Sequence, residues 1–334
     1  MLSRETISCG GYRWTYFPAA ASSTHAILLV GQSRGVLIRA CAGYFHALGC
    51  AFLAIPPAQN GQADPGLHSF PLECVEAALD WLRERGVRSF GIMGASATGM
   101  LALTIAAHLP VFSLVLAYTP SDFVMQGYYN GKKGGGISEW PAPNESTLSR
   151  KGQPVPYAPF GLSPEEYHAL CYGKATKDAG ELTGLPLFAH VEALGIPENA
   201  RIPVENIAGK LMLFGAEDDT LWPTARYIRQ MRARLDAHGC KNYEAHIFRY
   251  GTHLIFPEGI VRCILPFGIS FLLGRFFRSA KAHPDECRQT RLEIDRLTAR
   301  AVQEWREQDH DVFEEEGETD ERIAPDVAGG NAHA

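Results

Sequence analysis

Short apolar runs and segments of helical spacing alternate along the first third of the chain. Ile7–Phe17 has the pattern of a hairpin with Gly10-Gly11 at its turn. Ala26–Val30 is wholly apolar, as a strand covered on both faces would be, and it ends in Gly31-Gln-Ser-Arg-Gly35. Val36–Leu48 has helical spacing and stops at Gly49, a residue suited to a left-handed cap. Cys50–Ile55 is the next buried strand. After a loop to Phe70, Pro71–Arg85 puts Leu72, Val75, Leu79 and Leu82 on one helical face, and Gly86 closes it. Another strand rises from Ser89 to Met93, a helix runs to Leu109, and Phe112–Ala117 is a further strand. This alternation predicts an α/β fold with a mostly parallel, right-handed wound central sheet and helices on both faces.

From Ser121 to about Pro203 the rhythm breaks into a Gly- and Pro-rich segment, with short helical pieces predicted near Pro164–Cys171 and Thr183–Leu194. A structureless loop of that length is improbable in a compact domain unless it covers a site. Tyr, Trp, Phe and Leu recur through it, so it is expected to form an inserted cap. Lys210–Phe214 resumes the sheet, a helix runs from about Thr224 to His238, and Tyr243–Arg249 is the last strand. Pro284–Glu307 is predicted as a final amphipathic helix carrying Leu292, Leu297, Val302 and Trp305. The expected organisation is one catalytic domain over residues 1–308, with the cap at about 121–203, and an acidic disordered tail over 309–334.

Charge sharpens that division. The formal net charge is -6, but residues 309–334 alone hold nine Asp or Glu against one Arg. The body is therefore nearly neutral, and no basic field points to nucleic acid. The eight Cys include no C-x-x-C pair, and Cys41, Cys50 and Cys74 lie in apolar surroundings, where Cys serves as a small hydrophobe. That usage fits a reducing compartment, and with no signal-peptide pattern and no apolar run long enough for a span, a cytoplasmic location is expected. Nothing in the chain calls for a cofactor or a metal.

The candidate chemistry starts at Gly94-Ala-Ser96-Ala-Thr-Gly99. A serine between a buried strand and a small-residue helix sits on a sharp turn with its Oγ above the sheet, the nucleophile elbow of α/β-hydrolases. A glycine usually follows two residues after the serine; here Thr98 stands there and Gly99 comes one later. A serine nucleophile needs a base, and the base needs an acid to fix its tautomer. In this fold the acid follows a later strand and the histidine follows the last one. Asp218-Asp219 lies past Phe214, and His253 lies past Arg249. Asp219 is preferred to Asp218 for its place relative to Pro223, and His253 to His246 and His238, which fall in a strand and at a helix end. The two oxyanion donors are expected to be the backbone N–H of Ala97 and one from Gln32 or Ser33. In the cap, Trp140 and Phe160 could hold an apolar chain and Lys132 and Lys133 an anionic carrier; Trp222 is a further candidate for substrate contact.

The chain resembles the C-terminal catalytic domain of acyl-CoA thioesterases and bile acid-CoA:amino acid N-acyltransferases. The likeness is carried by Val30-Gly-Gln-Ser-Arg-Gly35, Pro71–Leu79, the elbow, Arg201-Ile-Pro-Val-Glu-Asn-Ile207, Glu217-Asp-Asp-Thr-Leu-Trp-Pro223, Gly251-Thr-His253 and Lys281-Ala-His283. It implies an α/β-hydrolase fold, a triad of Ser96, Asp219 and His253, and a small acyl-CoA or related ester as substrate. Members that transfer acyl groups to amino acids tend to use Cys as nucleophile, so Ser96 implies hydrolysis. The chain departs from the resemblance at Arg34 and Thr98, in having too few residues before Ala26 for the family's β-sandwich domain, and in lacking a peroxisomal Ser-Lys-Leu end. An esterase, an acyltransferase with the same triad, and a catalytically silent scaffold are the other readings the residues allow.

Overall fold

Gly10 and Gly11 both adopt positive φ, 58° and 85°, a turn whose twist matches that of the strands it joins. It pairs β1 (Glu5–Cys9) with β2 (Tyr12–Phe17), Cys9 opposite Tyr12. The computed structural model describes residues 2–19, 23–32, 34–57, 66–131, 138–173, 180–265 and 269–321. In chain order there follow β3 (His25–Val30), α1 (Gly35–Ala47), β4 (Ala51–Ile55), the short β5 (Gly66–Leu67) and β6 (Phe70–Pro71), α2 (Leu72–Arg83), β7 (Ser89–Ala95), α3 (Ala97–His108) and β8 (Phe112–Tyr118). The next segment holds β9 (Gln126–Gly131), β10 (Ser138–Ser146), β11 (Leu148–Arg150), β12 (Gln153–Pro154), α4 (Pro164–Tyr172) and α5 (Leu185–Leu194). The chain closes with β13 (Lys210–Ala216), α6 (Thr224–Ala237), β14 (Tyr243–Phe248), α7 (Glu258–Ile264), α8 (Ser270–Phe276), α9 (Arg278–Ala282) and α10 (Pro284–Glu321).

Eight strands form one sheet in the order β1-β2-β4-β3-β7-β8-β13-β14. Every neighbouring pair from β4 to β14 is parallel, and the two antiparallel pairs in this sheet are β1–β2 and β2–β4. The strands are apolar throughout because both faces are covered. Leu28, Leu53, Ile92 and Val115 face a core shared with Val75 and Leu79 of α2, Leu101 of α3 and Ile228 of α6. Their neighbours Ile27, Phe52 and Leu114 face a second core, with Ile38 and Phe45 of α1 and Ile294, Leu297, Val302 and Trp305 of α10. Each side chain so buried contributes roughly 1.5–3 kcal/mol. This is the α/β-hydrolase arrangement expected from the sequence.

Two features were not legible beforehand. Helix α10 continues to Glu321, past the expected helix end at Glu307. The acidic run can sustain helix because Glu is itself a good helix former; residues 322–334 lie outside the described residues. The second is the strand content of the segment between β8 and β13. β9 and β10 form an antiparallel pair extended by β5, and β11 lies between β12 and β6. Half of that pairing comes from the distant loop before α2, so no local pattern announces it. The predicted helical pieces do form, as α4 and α5.

The two ends of the insertion meet where it leaves the sheet. Val124 N–H donates to Ala200 O at 2.9 Å, Ile202 N–H donates to Asp122 O at 3.0 Å, and Asp122 pairs with Arg201. Burial pushes the Asp122 carboxyl up to about 6, against the opposing pull of Arg201. Because the folded-state value is raised above the unfolded one, ionisation of Asp122 disfavours the folded state as pH rises from about 4 to 6. Wild type should therefore lose up to about 3 kcal/mol relative to Asp122→Asn across that window, with a flat difference above it. Paired denaturation curves at several pH values would check this, and a constant difference would contradict it.

Candidate active site

The turn between β7 and α3 is forced by its small residues. Ser96 has φ 56° and ψ -126°, a conformation L side chains rarely adopt. Its N–H donates to Tyr118 O at 2.9 Å, and its carbonyl accepts from Met100 N–H at 3.0 Å, so strand and helix hold it from both sides. A Cβ on Gly94 would lie 2.0 Å from the carbonyl oxygen of Thr98, which excludes any side chain there. The displaced second glycine has a physical reason as well. The close crossing on β8 falls at Gly99, where a Cβ would lie 3.0 Å from Tyr118 O, and not at position 98.

Thr98 uses the room it has. Its hydroxyl accepts the Ala95 N–H and donates to the Ala95 carbonyl, both at 2.8 Å, bracing the residue immediately before Ser96. Thr98→Val keeps the shape and removes both bonds. It should cost about 1–2 kcal/mol of stability and lower kcat roughly tenfold, with Thr98→Ser restoring most of both. Unchanged kcat in the valine variant, with a lower melting temperature, would reduce Thr98 to a structural role.

Ser96 faces His253. The Ser96 Oγ lies 2.7 Å from His253 Nε2, and His253 Nδ1 lies 2.8 Å from Asp219 Oδ2. Asp219 is held in turn: its Oδ1 accepts the N–H groups of Leu221 at 2.9 Å and Trp222 at 3.1 Å, and Oδ2 accepts the Thr224 hydroxyl at 2.9 Å. His253 and Asp219 are buried at 4% and 5% exposure, while Ser96 is half-buried. With Nδ1–H donated to the carboxylate, Nε2 is free to accept the serine proton. The arrangement can therefore generate a serine alkoxide-like nucleophile at the C-terminal edge of a parallel sheet.

Asp218, the alternative acid, does different work. Its Oδ1 accepts the N–H groups of Gly251 at 2.9 Å and Thr252 at 2.8 Å, and its Oδ2 accepts the Ser279 hydroxyl. Thr252 sits at φ 62°, so this carboxylate holds a strained turn directly before His253. Thr119, itself at φ 44°, donates its hydroxyl to the His253 carbonyl at 3.1 Å. Neither anchor of the histidine loop was apparent from the sequence. The carboxylate at 218 was visible as a candidate, but its partners lie 33 residues away and beyond.

Among the oxyanion candidates, Ala97 opens α3 directly after Ser96. Gln32 follows Gly31, whose φ is 85°, and its side-chain oxygen accepts the Arg34 N–H at 2.8 Å. Ser33, Lys132 and Lys133 lie outside the described residues. Of the rings, Trp222 reaches the site, its centroid 5.3 Å from that of His253, and Phe188 of α5 backs it at 5.1 Å. Trp140 instead stacks on His168 of α4 at 5.0 Å, and Phe160 is 4% exposed and packed on Tyr167. Phe160 is thus a core residue, because its apolar ring is consumed inside the cap rather than at an opening. Burial pushes the thiols of Cys41, Cys50 and Cys74 up to about 12, which makes them packing groups and not competing nucleophiles. No helix among the described residues is long and apolar enough to cross a membrane.

Residues 70–260 match the protein family described as BAAT / Acyl-CoA thioester hydrolase C terminal. An α/β-hydrolase from a Medee basin deep-sea metagenome library superimposes on 92% of this chain and 98% of its own, with TM-score 0.50 and 13% identity. An esterase of Pyrococcus furiosus covers 85% of this chain and 90% of its own at TM-score 0.47 and 13% identity. At such identities the likeness is one of fold. A search of curated proteins found no significant match.

Proposed function

The chain belongs to the family of the BAAT / acyl-CoA thioester hydrolase C-terminal domain, and from that premise we propose that this α/β-hydrolase enzyme cleaves acyl-CoA-type thioesters through a serine acyl-enzyme. The observation that carries the reading is the continuous chain from Ser96 Oγ through His253 to Asp219, at 2.7 and 2.8 Å. His253 Nε2 takes the Ser96 proton as Oγ attacks the thioester carbonyl. The resulting oxyanion is held by the Ala97 N–H and by an N–H from the loop after β3, at Gln32 or Ser33. Collapse expels the CoA thiolate, which receives the proton from His253. Water then enters, gives a proton to the same nitrogen and attacks the acyl carbonyl; as this second intermediate collapses, the C–Oγ bond breaks, His253 returns the proton to Ser96 Oγ and the free acid leaves. Asp219 keeps the imidazole in the required tautomer and stabilises its charged form in both halves. Trp222 beside His253 supplies an apolar wall for the acyl chain.

The test is release of free CoA from a panel of acyl-CoA chain lengths, run beside p-nitrophenyl esters and with fluorophosphonate labelling of Ser96. CoA release at one or more chain lengths is expected. Ester cleavage with no CoA release would make the protein an esterase, and failure of both assays together with unlabelled Ser96 would make it a silent scaffold.

A further inference from the structure

The region beyond His253 has a chemistry that the triad does not use. The 26 residues from Gly259 to Pro284 contain four Lys or Arg and no Asp or Glu, in a chain with 37 acidic residues. Helices α8 and α9 form one wall of a pocket of about 670 Å³ lined by Phe271, Arg275, Phe277, Arg278 and Lys281. That volume is of the size that takes a small organic molecule. Arg275 and Lys281 form no ion pair among the described residues. Phe271 is 82% exposed, and Leu272 and Phe276 beside it are at 40% and 38%. An aromatic ring held in water next to cations is costly to maintain for packing alone, since it buries nothing.

The pocket is joined to the candidate active site. Its inner residues Phe277 and Ala280 belong to a small core with Leu273 and Cys287, on which Leu221, Tyr250 and Leu254 pack. Leu221 donates its N–H to Asp219, and Leu254 follows His253. Ser279 of α9 donates to Asp218, the carboxylate that holds the turn before His253. These contacts connect the cationic pocket to the two loops that carry Asp219 and His253.

We propose that this pocket binds the phosphate-bearing nucleotide end of the thioester's carrier, with Arg275 and Lys281 on the phosphates, Arg278 adding positive potential, and the Phe271 ring stacked on the base. The inference rests on the acyl-CoA reading above. Cations beside a phosphate form charge-assisted hydrogen bonds, and an exposed aromatic ring offers a face to any nucleobase. It also gives the carrier a fixed anchor while the acyl end turns over at Ser96, so the pocket should act on KM and not on kcat.

Binding of CoA measured by calorimetry on the full chain, in wild type, Arg275→Gln/Lys281→Gln and Phe271→Ala, tests this without any turnover. The double variant should weaken CoA binding roughly tenfold, and the loss should shrink at high salt. The same variants should raise KM for acyl-CoA by a similar factor and leave the corresponding acyl-N-acetylcysteamine thioester, which lacks phosphate and base, unchanged. CoA binding that is absent in wild type or equal in the double variant overturns the proposal. So does a double variant that loses binding to phosphatidylserine vesicles while keeping its CoA affinity, because the patch would then be a membrane face. CoA release that is unchanged in the variants overturns the pocket and leaves the hydrolase reading intact. Weakened CoA binding with no CoA release at any chain length supports the pocket and removes the thioesterase reading.

Discussion

Ser96→Ala is expected to lower kcat on the best thioester by roughly 10⁴–10⁶-fold while leaving the protein folded. The expectation follows from what the residue contributes. Ser96 is half-buried on a strained turn, and its hydroxyl bonds to His253 Nε2 at 2.7 Å. In the proposed mechanism, removing that hydroxyl deletes the attacking atom, and the neighbouring donors cannot replace it. The backbone bonds that hold the turn, from Ser96 N–H to Tyr118 O and from Met100 N–H to Ser96 O, do not involve the side chain and persist in alanine. The melting temperature should therefore shift by only about a degree or two, since a change well under 1 kcal/mol moves a protein of this size little. His253→Ala should cost about as much in kcat, because a base and a nucleophile that act as proposed form one unit whose losses do not add. Single-turnover kinetics on purified variants, with melting curves on the same samples, would check both halves. Substantial turnover in folded Ser96→Ala protein would remove Ser96 from the mechanism.

The second large effect separates the adjacent aspartates. Asp219→Asn should reduce kcat by about 10⁴-fold with little loss of stability. An asparagine at 219 can still accept the N–H groups of Leu221 and Trp222, so the loop keeps its geometry. Its amide, however, presents an N–H to His253 Nδ1, which moves the imidazole proton to Nε2 and blocks acceptance from Ser96. Asp218→Ala should behave in the opposite way. It removes the acceptor for Gly251, Thr252 and Ser279 at once, and three bonds to a charged group should cost about 2–4 kcal/mol in this half-buried setting. Activity should then fall because His253 loses its position, and low temperature should recover part of it. Thermal melts plotted against kcat for the two variants would place them on opposite corners. The reverse assignment would mean that the acid at the histidine is Asp218 during turnover.

Much of the fold was legible because its signals are local. A strand covered on both faces must be apolar at every position, so Ala26–Val30 and Cys50–Ile55 could be placed from composition alone. Gly10-Gly11, Gly49 and Gly86 mark turns and helix ends for the same local reason, since only glycine adopts positive φ without strain. The order of Ser96, Asp218-Asp219 and His253 was visible too, as polar residues just past strand ends.

What depended on partners far along the chain could not be read in that way. Two carboxylates in succession look alike in sequence, and only the folded chain brings Asp219 to the imidazole and Asp218 to the Gly251–Thr252 turn. Thr98 stands where the usual motif has glycine, and only the fold shows that the close crossing falls at Gly99, where the Tyr118 carbonyl approaches. The sheet strands of the inserted segment are assembled partly from residues 66–71, whose partners lie at 128–129 and 148–149. Phe160 and Trp222 are both aromatic residues near polar loops, yet one is spent in the cap core and the other lies beside His253. Local backbone preference and burial period are properties of a few consecutive residues, so the sequence alone determined the elements and their order. Hydrogen bonds between side chains brought together by the crossovers depend on the register of the whole sheet, and only the tertiary structure decided which group meets which.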